Sequence, residues 1–136
     1  MDFVSDQLSD GNKIRSLTVV DTYSCECLAT YVCIRLRAED VNQVLTDICR
    51  RRQKPVRIHC DNGSEFASQM TELCAYSNEV KLAFSRPGRP IDNAFIESLN
   101  GSFRDECLNC HWFDSLRDAK LKINAWRADY NESRPN

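Results

Sequence analysis

The order in which hydrophobic periodicities follow one another is the tightest constraint on what this chain can fold into. Three stretches with strand character come first. Met1 to Leu8 leans apolar and ends in the turn chemistry of Ser9-Asp10-Gly11-Asn12. Ile14 to Val20 is rich in β-branched residues and ends at Asp21, and Cys27 to Leu36 carries Tyr31, Val32 and Ile34. The period then changes: Val41, Val44, Leu45 and Ile48 recur at helical spacing behind the acidic start Glu39-Asp40. Pro55 closes that segment, and Val56 to His59 reads as a short fourth strand delivering Asp61 at its end. Phe66, Met70, Leu73 and Cys74 mark another helix, Val80 to Phe84 a fifth strand, and Ser85 to Pro90 a loop. Ile96, Leu99 and Phe103 form one helical face, and Leu116, Ala119, Ile123, Trp126 and Tyr130 a stripe on the last helix. Strands first and alternation afterwards predict an α/β fold, a mixed sheet covered by helices.

At 136 residues the chain reads as one domain, large enough to bury a core without staples. No apolar run approaches the ~20 residues of a membrane span and no signal peptide opens it, so a cytoplasmic protein with no membrane partner is expected. Eight cysteines are scattered through strand and helix interiors, where a free thiol serves as a small apolar residue, and disulfides are not expected. Cys107-Leu108-Asn109-Cys110-His111 matches the C-x-x-C-H spacing of haem attachment. Neither the cytoplasmic setting nor the fold suits haem, and no second ligand pair completes a zinc site, so neither is expected.

The chemistry lies in the carboxylates. Thirty-five residues separate Asp61, in Cys60-Asp61-Asn62-Gly63-Ser64-Glu65-Phe66, from Glu97, in Asp92-Asn93-Ala94-Phe95-Ile96-Glu97-Ser98. Phosphodiester chemistry with Mg²⁺ needs hard oxygen ligands from separate parts of a fold, able to clamp two ions about 3.5–4 Å apart. Asp2, in the strand-like opening Met1-Asp2-Phe3-Val4, supplies a third carboxylate; Asp21 and Asp6 compete for that place. Glu97, Asn100 and Arg104 stand at i, i+3 and i+7 on their helix, opposite the Ile96/Leu99/Phe103 stripe. One face packs while the other presents a carboxylate, an amide and a cation.

Six collinear runs carry a family resemblance: Leu17 to Asp21, Asp61 to Phe66, Phe84 to Gly88, Asp92 to Ser98, Phe103 to Asn109 and Trp126 to Asn131. Through them the chain resembles the catalytic core of a DDE transposase, of the rve-type integrase core, and within that group the OrfB product of bacterial insertion sequences. The resemblance implies a ribonuclease-H-like fold with a five-stranded mixed sheet flanked by helices. It implies that residues 1–136 are an integrase-type catalytic core, read as a piece lacking an upstream helix-turn-helix region. It implies Asp2, Asp61 and Glu97 as catalytic residues and metal ligands for two Mg²⁺ ions, with Mn²⁺ as a substitute. Asn62, Arg86, Arg89, Asn93, Asn100 and Arg104 are implied at the DNA. Cys25 departs from the family, standing where relatives usually carry Arg.

What the resemblance implies is DNA strand cleavage and strand transfer at element ends, with DNA as partner and a homo-oligomer assembled on it. The net charge of −2 runs against this, because phosphate contacts supply most non-specific DNA affinity. A catalytically inactive remnant that only binds DNA or a partner chain is therefore the alternative, and a ribonuclease-H-type nuclease acting on RNA·DNA hybrids a second one. The basic cluster Arg50-Arg51-Arg52, Lys54 and Arg57 reads equally as a solvated helix end or as a DNA-backbone contact.

Overall fold

A computed structural model describes residues 1–52, 55, 57–60, 72, 75–76, 78–84 and 94–133. The chain divides into two compact units, Asp2–Leu36 with Phe95–Asn136, and Arg37–Ala94 with Met1.

In the first unit, β1 (Asp2–Gln7), β2 (Lys13–Val20) and β3 (Cys27–Cys33) form an antiparallel sheet in that order. The β1–β2 register pairs Asp2 with Thr18 and Gln7 with Lys13. Between them Gly11 takes φ +90°, a conformation that any side chain would strain, while Asp10 Oδ1 accepts from the Asn12 amide at 2.9 Å. β3 stops at Cys33, three residues short of the strand read from the sequence. The Cys33 thiol turns onto the Arg35 carbonyl at 2.9 Å, and the returning charge of Arg35 and Arg37 does not suit a half-buried pleat.

Two helices complete this unit, α2 (Ala94–Glu106) and α3 (Leu116–Ser133), joined through a 3₁₀ turn at Leu108–Cys110. Ser115 caps α3, its Oγ accepting from the Asp118 amide at 3.0 Å. The stripes read from the sequence are the ones buried: Ile96, Leu99 and Phe103 on α2, and Ala119, Ile123 and Trp126 on α3. They share one core with Val4, Ile14 and Val32 of the sheet. The Phe103 and Trp126 rings stack with centroids 5.0 Å apart. Full burial of side chains such as Leu99, Phe103 and Ile123 stabilises by about 1.5–3 kcal/mol each. At the far end of α3, Asn131 clips the start of β3. Its Oδ1 accepts from the Cys27 amide at 2.8 Å, and its Nδ2 donates to the Cys27 carbonyl at 3.0 Å.

In the second unit, α1 (Ala38–Arg51) buries Val41, Val44, Leu45 and Ile48, and Asp40 Oδ2 accepts from the Arg37 amide at 2.9 Å. β4 (Arg57–Cys60) pairs in parallel with β5 (Lys81–Phe84), Arg57 opposite Lys81 and Cys60 opposite Phe84. The Met1 ammonium donates to the His59 carbonyl at 2.7 Å. The five strands therefore occur in the expected chain order. Among the described residues they are laid out as a three-stranded antiparallel ladder and a two-stranded parallel one, rather than as one continuous ladder. Glu72, Ala75 and Tyr76 are helical, and the rest of the helix expected over Phe66 to Cys74 lies outside the described residues, as does the Ser85 to Pro90 loop.

Candidate active site

Asp2 opens β1, and the two-residue period of the strand puts it on the same sheet face as Val4, the face covered by α2 and α3. Its carboxylate is held at both oxygens. Oδ1 accepts from the Phe3 amide at 2.8 Å and Oδ2 from Asn100 Nδ2 at 3.0 Å. Asn100 reaches it from α2, and its own Oδ1 accepts from Thr18 Oγ1 at 2.8 Å. Thr18, the cross-strand partner of Asp2, is fully buried, and its hydroxyl also lies 3.3 Å from the Asp2 carbonyl oxygen. Asp2 and Asn100 are half-buried.

Glu97 is exposed in the first turn of α2, one helical turn ahead of Asn100 on the same face. Residues from the two ends of the chain thus come to one place: a strand carboxylate, and a helix whose next turn outward carries a second carboxylate. Arg104 continues the face, its Nη1 donating to the Ser5 carbonyl on β1 at 3.4 Å. The spacing Glu97, Asn100, Arg104 therefore runs beside β1, the amide at Asp2 and the cation at Ser5.

The two other contenders for the first carboxylate are placed differently. Asp21 is committed to the β2–β3 turn, its Oδ1 accepting from the Tyr23 amide at 2.9 Å and its Oδ2 from Ser24 Oγ at 3.1 Å. Cys25, the departure from the family pattern, sits in that turn at φ +61°. Asp6 lies four residues along β1 from Asp2, about 13 Å at strand rise, too far to share an ion with it. Asp61, Asn62, Arg86, Arg89 and Asn93 lie outside the described residues.

The donor set suits a hard cation: Asp2 and Glu97 offer carboxylate oxygens on the α2 side of the sheet. Among the described residues no group of three or more His, Cys, Asp or Glu side chains is gathered around one point. The C-x-x-C-H run is split by burial, Cys107 lying in the core while Cys110 and His111 are exposed. Burial, with smaller contributions from Cys110 and Asp6, pushes the Cys107 thiol up to about 11.

Thr18 is the residue the sequence reading missed. Its one visible signal was a hydroxyl in the middle of an otherwise β-branched, apolar run. The Asn100 amide meets Thr18 and Asp2, contacts that its spacing on α2 does not announce.

An integrase core domain family matches residues 1–90, and a second family of the same description matches residues 78–136. An uncharacterized 31.7 kDa protein of insertion element IS407 from Burkholderia multivorans is 44% identical over 135 residues, covering 99% of this chain and 49% of that protein. An uncharacterized 39.2 kDa protein of insertion element IS476 from Xanthomonas euvesicatoria is 40% identical, over 99% of this chain and 39% of its own length. The transposase for insertion sequence element IS904 of Lactococcus lactis is 24% identical over 76% of this chain and 42% of its own. The chain thus spans about half or less of the length of these relatives. Among solved structures, the HTLV-2 integrase catalytic core domain in complex with magnesium superposes with a TM-score of 0.70 at 19% identity. That match covers 98% of this chain and 86% of the other, and it makes the fold ribonuclease-H-like. Among the described residues no helix is long and apolar enough to cross a membrane.

Proposed function

The chain belongs to the integrase core domain family, and on that premise we propose that it is the catalytic core of a transposase that cuts DNA strands at element ends and joins them to a target. The observation that carries the reading is the meeting of Asp2, on β1, with the Glu97-bearing face of α2 through Asn100. A structural carboxylate buried for packing has no need of a second one presented to solvent a turn away.

In this reading Asp2, Asp61 and Glu97 hold Mg²⁺, or Mn²⁺ in its place, as two ions. When bound, the ions supply activation of water or a DNA 3′-hydroxyl and stabilisation of the departing 3′-oxygen. The chain's own share is placement. The Phe3 amide and Asn100 Nδ2 hold the two oxygens of Asp2, and the buried stripe of α2 sets the direction of Glu97. Arg104, with Arg86, Arg89, Asn62 and Asn93, would contact the phosphates that the negative overall charge repels. DNA is the partner, and a homo-oligomer on paired ends the working form.

Calorimetry with Mn²⁺ tests the site, and nicking of supercoiled plasmid tests the chemistry. Saturable Mn²⁺ binding that is lost in Glu97→Gln, with nicking lost in step, is the expected result. A folded wild-type chain with neither binding nor nicking, alone or with added DNA, would sink the proposal in favour of a non-catalytic binding module.

A further inference from the structure

We propose that Thr18 is a positioning residue: its buried hydroxyl fixes the Asn100 amide so that Nδ2 points at, and orients, the Asp2 carboxylate. The inference rests on the reading of Asp2 as a metal ligand, and goes beyond it by assigning a role to a residue with no part in binding or catalysis.

Donors and acceptors decide which way round the Asn100 amide sits. An asparagine amide can sit either way round in the same space, with its oxygen or its nitrogen toward Asp2. An oxygen facing the carboxylate would bring two acceptors together, so Asn100 must present Nδ2 there, at 3.0 Å from Oδ2. That choice leaves Asn100 Oδ1 in need of a donor, and the Thr18 hydroxyl is 2.8 Å away. The single hydroxyl proton belongs on this shorter contact rather than on the Asp2 carbonyl at 3.3 Å. With Thr18 donating, the amide has one stable orientation. Without it, Oδ1 has lost its donor and only the bond to Asp2 holds the amide, which is then less firmly fixed.

The neighbouring hydroxyls make the contrast. Ser16 and Thr30 are buried at 3% and 4% exposure, and among the described residues the side-chain oxygen of each is without a hydrogen-bond partner. Thr30 is the cross-strand partner of Thr18 on β3. A threonine kept for its β-branched shape looks like Thr30, whose hydroxyl meets no partner among the described residues. Thr18 carries the same shape and uses its hydroxyl. The assembly grades outward, from fully buried Thr18 through half-buried Asn100 and Asp2 to exposed Glu97, so the orienting group is the one least disturbed by solvent. Groups that orient a metal ligand from behind are worth about 10–100-fold in metal affinity.

The test is Mn²⁺ calorimetry on the full chain as wild type, Thr18→Val, Thr18→Ser and Thr30→Val, with folding checked by circular dichroism. Valine keeps the shape and removes the hydroxyl; serine keeps the hydroxyl. Thr18→Val is expected to weaken Mn²⁺ binding about tenfold while Thr18→Ser stays within about twofold of wild type and Thr30→Val does not change it. Equal affinity of Thr18→Val and wild type, or equal losses in Thr18→Val and Thr30→Val, would overturn the positioning role and leave the metal site standing. No binding by folded wild type would overturn the metal-site reading and this inference with it, recognisable because the variants then differ in nothing. Should Thr18→Val fail to fold, Thr18→Ala set against Thr18→Ser isolates the same hydroxyl. A tenfold loss in the alanine variant that the serine variant does not share supports the assignment, and equal affinities refute it.

Discussion

Asn131 offers a demanding check on how α3 is fastened to the sheet. Its side chain answers both backbone groups of Cys27, a residue fully buried at the point where β2 and β3 meet across a register shift. Replacement by leucine keeps the size of the side chain and removes both partners, while continuing to keep water out. Leaving a buried N–H and a buried C=O unanswered costs about 1–3 kcal/mol each, so Asn131→Leu is expected to destabilise by roughly 2–6 kcal/mol. Alanine removes the same two bonds but opens a path for water, because Asn131 is half-buried. Water restores part of the loss, and Asn131→Ala should cost about 1–2 kcal/mol. At about 3 °C per kcal/mol for a chain of this size, the leucine variant melts roughly 6–18 °C below wild type and the alanine variant half as far or less. Thermal unfolding followed by tryptophan fluorescence reports on this region, since Trp126 lies on the same helix. The order is the decisive result. If leucine is no worse than alanine, the backbone groups of Cys27 are not shielded from water and the clip is not what holds this corner.

Two further outcomes follow from residues away from the site. Gly101 is an exposed position inside α2 where an added Cβ would meet nothing within 4 Å, so Gly101→Ala should stabilise by about 0.5–1 kcal/mol, read as a raised urea midpoint with unchanged slope. Burial raises the Cys27 thiol from an ordinary value of 9.0 to about 12, with Arg127 opposing in part. Since the folded chain holds this proton more tightly than the unfolded one, the stability it contributes is whole below pH 9.0 and drains away as pH rises toward 12. Urea midpoints that fall above pH 9.0 in wild type, and fall less in Cys27→Ala, are the expected result; identical slopes in both would refute it.

Much of this arrangement could be read from the chain, and the reason is that it is local. Val41, Val44, Leu45 and Ile48 declare their helix by spacing alone, as do the stripes of α2 and α3, because amphipathic burial is a property of one element at a time. The Glu97, Asn100, Arg104 face was legible for the same reason. What Asn100 touches was not. Its partners Asp2 and Thr18 lie 98 and 82 residues away, and only the register of β1 against β2 puts them side by side. The early stop of β3 likewise depends on a thiol turning back onto Arg35, a contact that strand propensity does not register. The commitment of Asp21 to its turn was latent in Ser24 and Cys25 downstream, but the same Asp at the end of a strand fits a ligand equally well until the turn is seen.

Helix α2 carries its packed stripe and, about 100° round the same rod, the face that bears Glu97. A carboxylate on its outer side stands about 6 Å from the rod's axis, so a roll of 20° sweeps it through about 2 Å. In the proposed reaction a displacement of that size would cost orders of magnitude in rate. The volumes of Ile96, Leu99 and Phe103 therefore act as an alignment screw for Glu97. A methyl group gained or shed in the interior is a small matter for whether the chain folds and a large one for where Glu97 points.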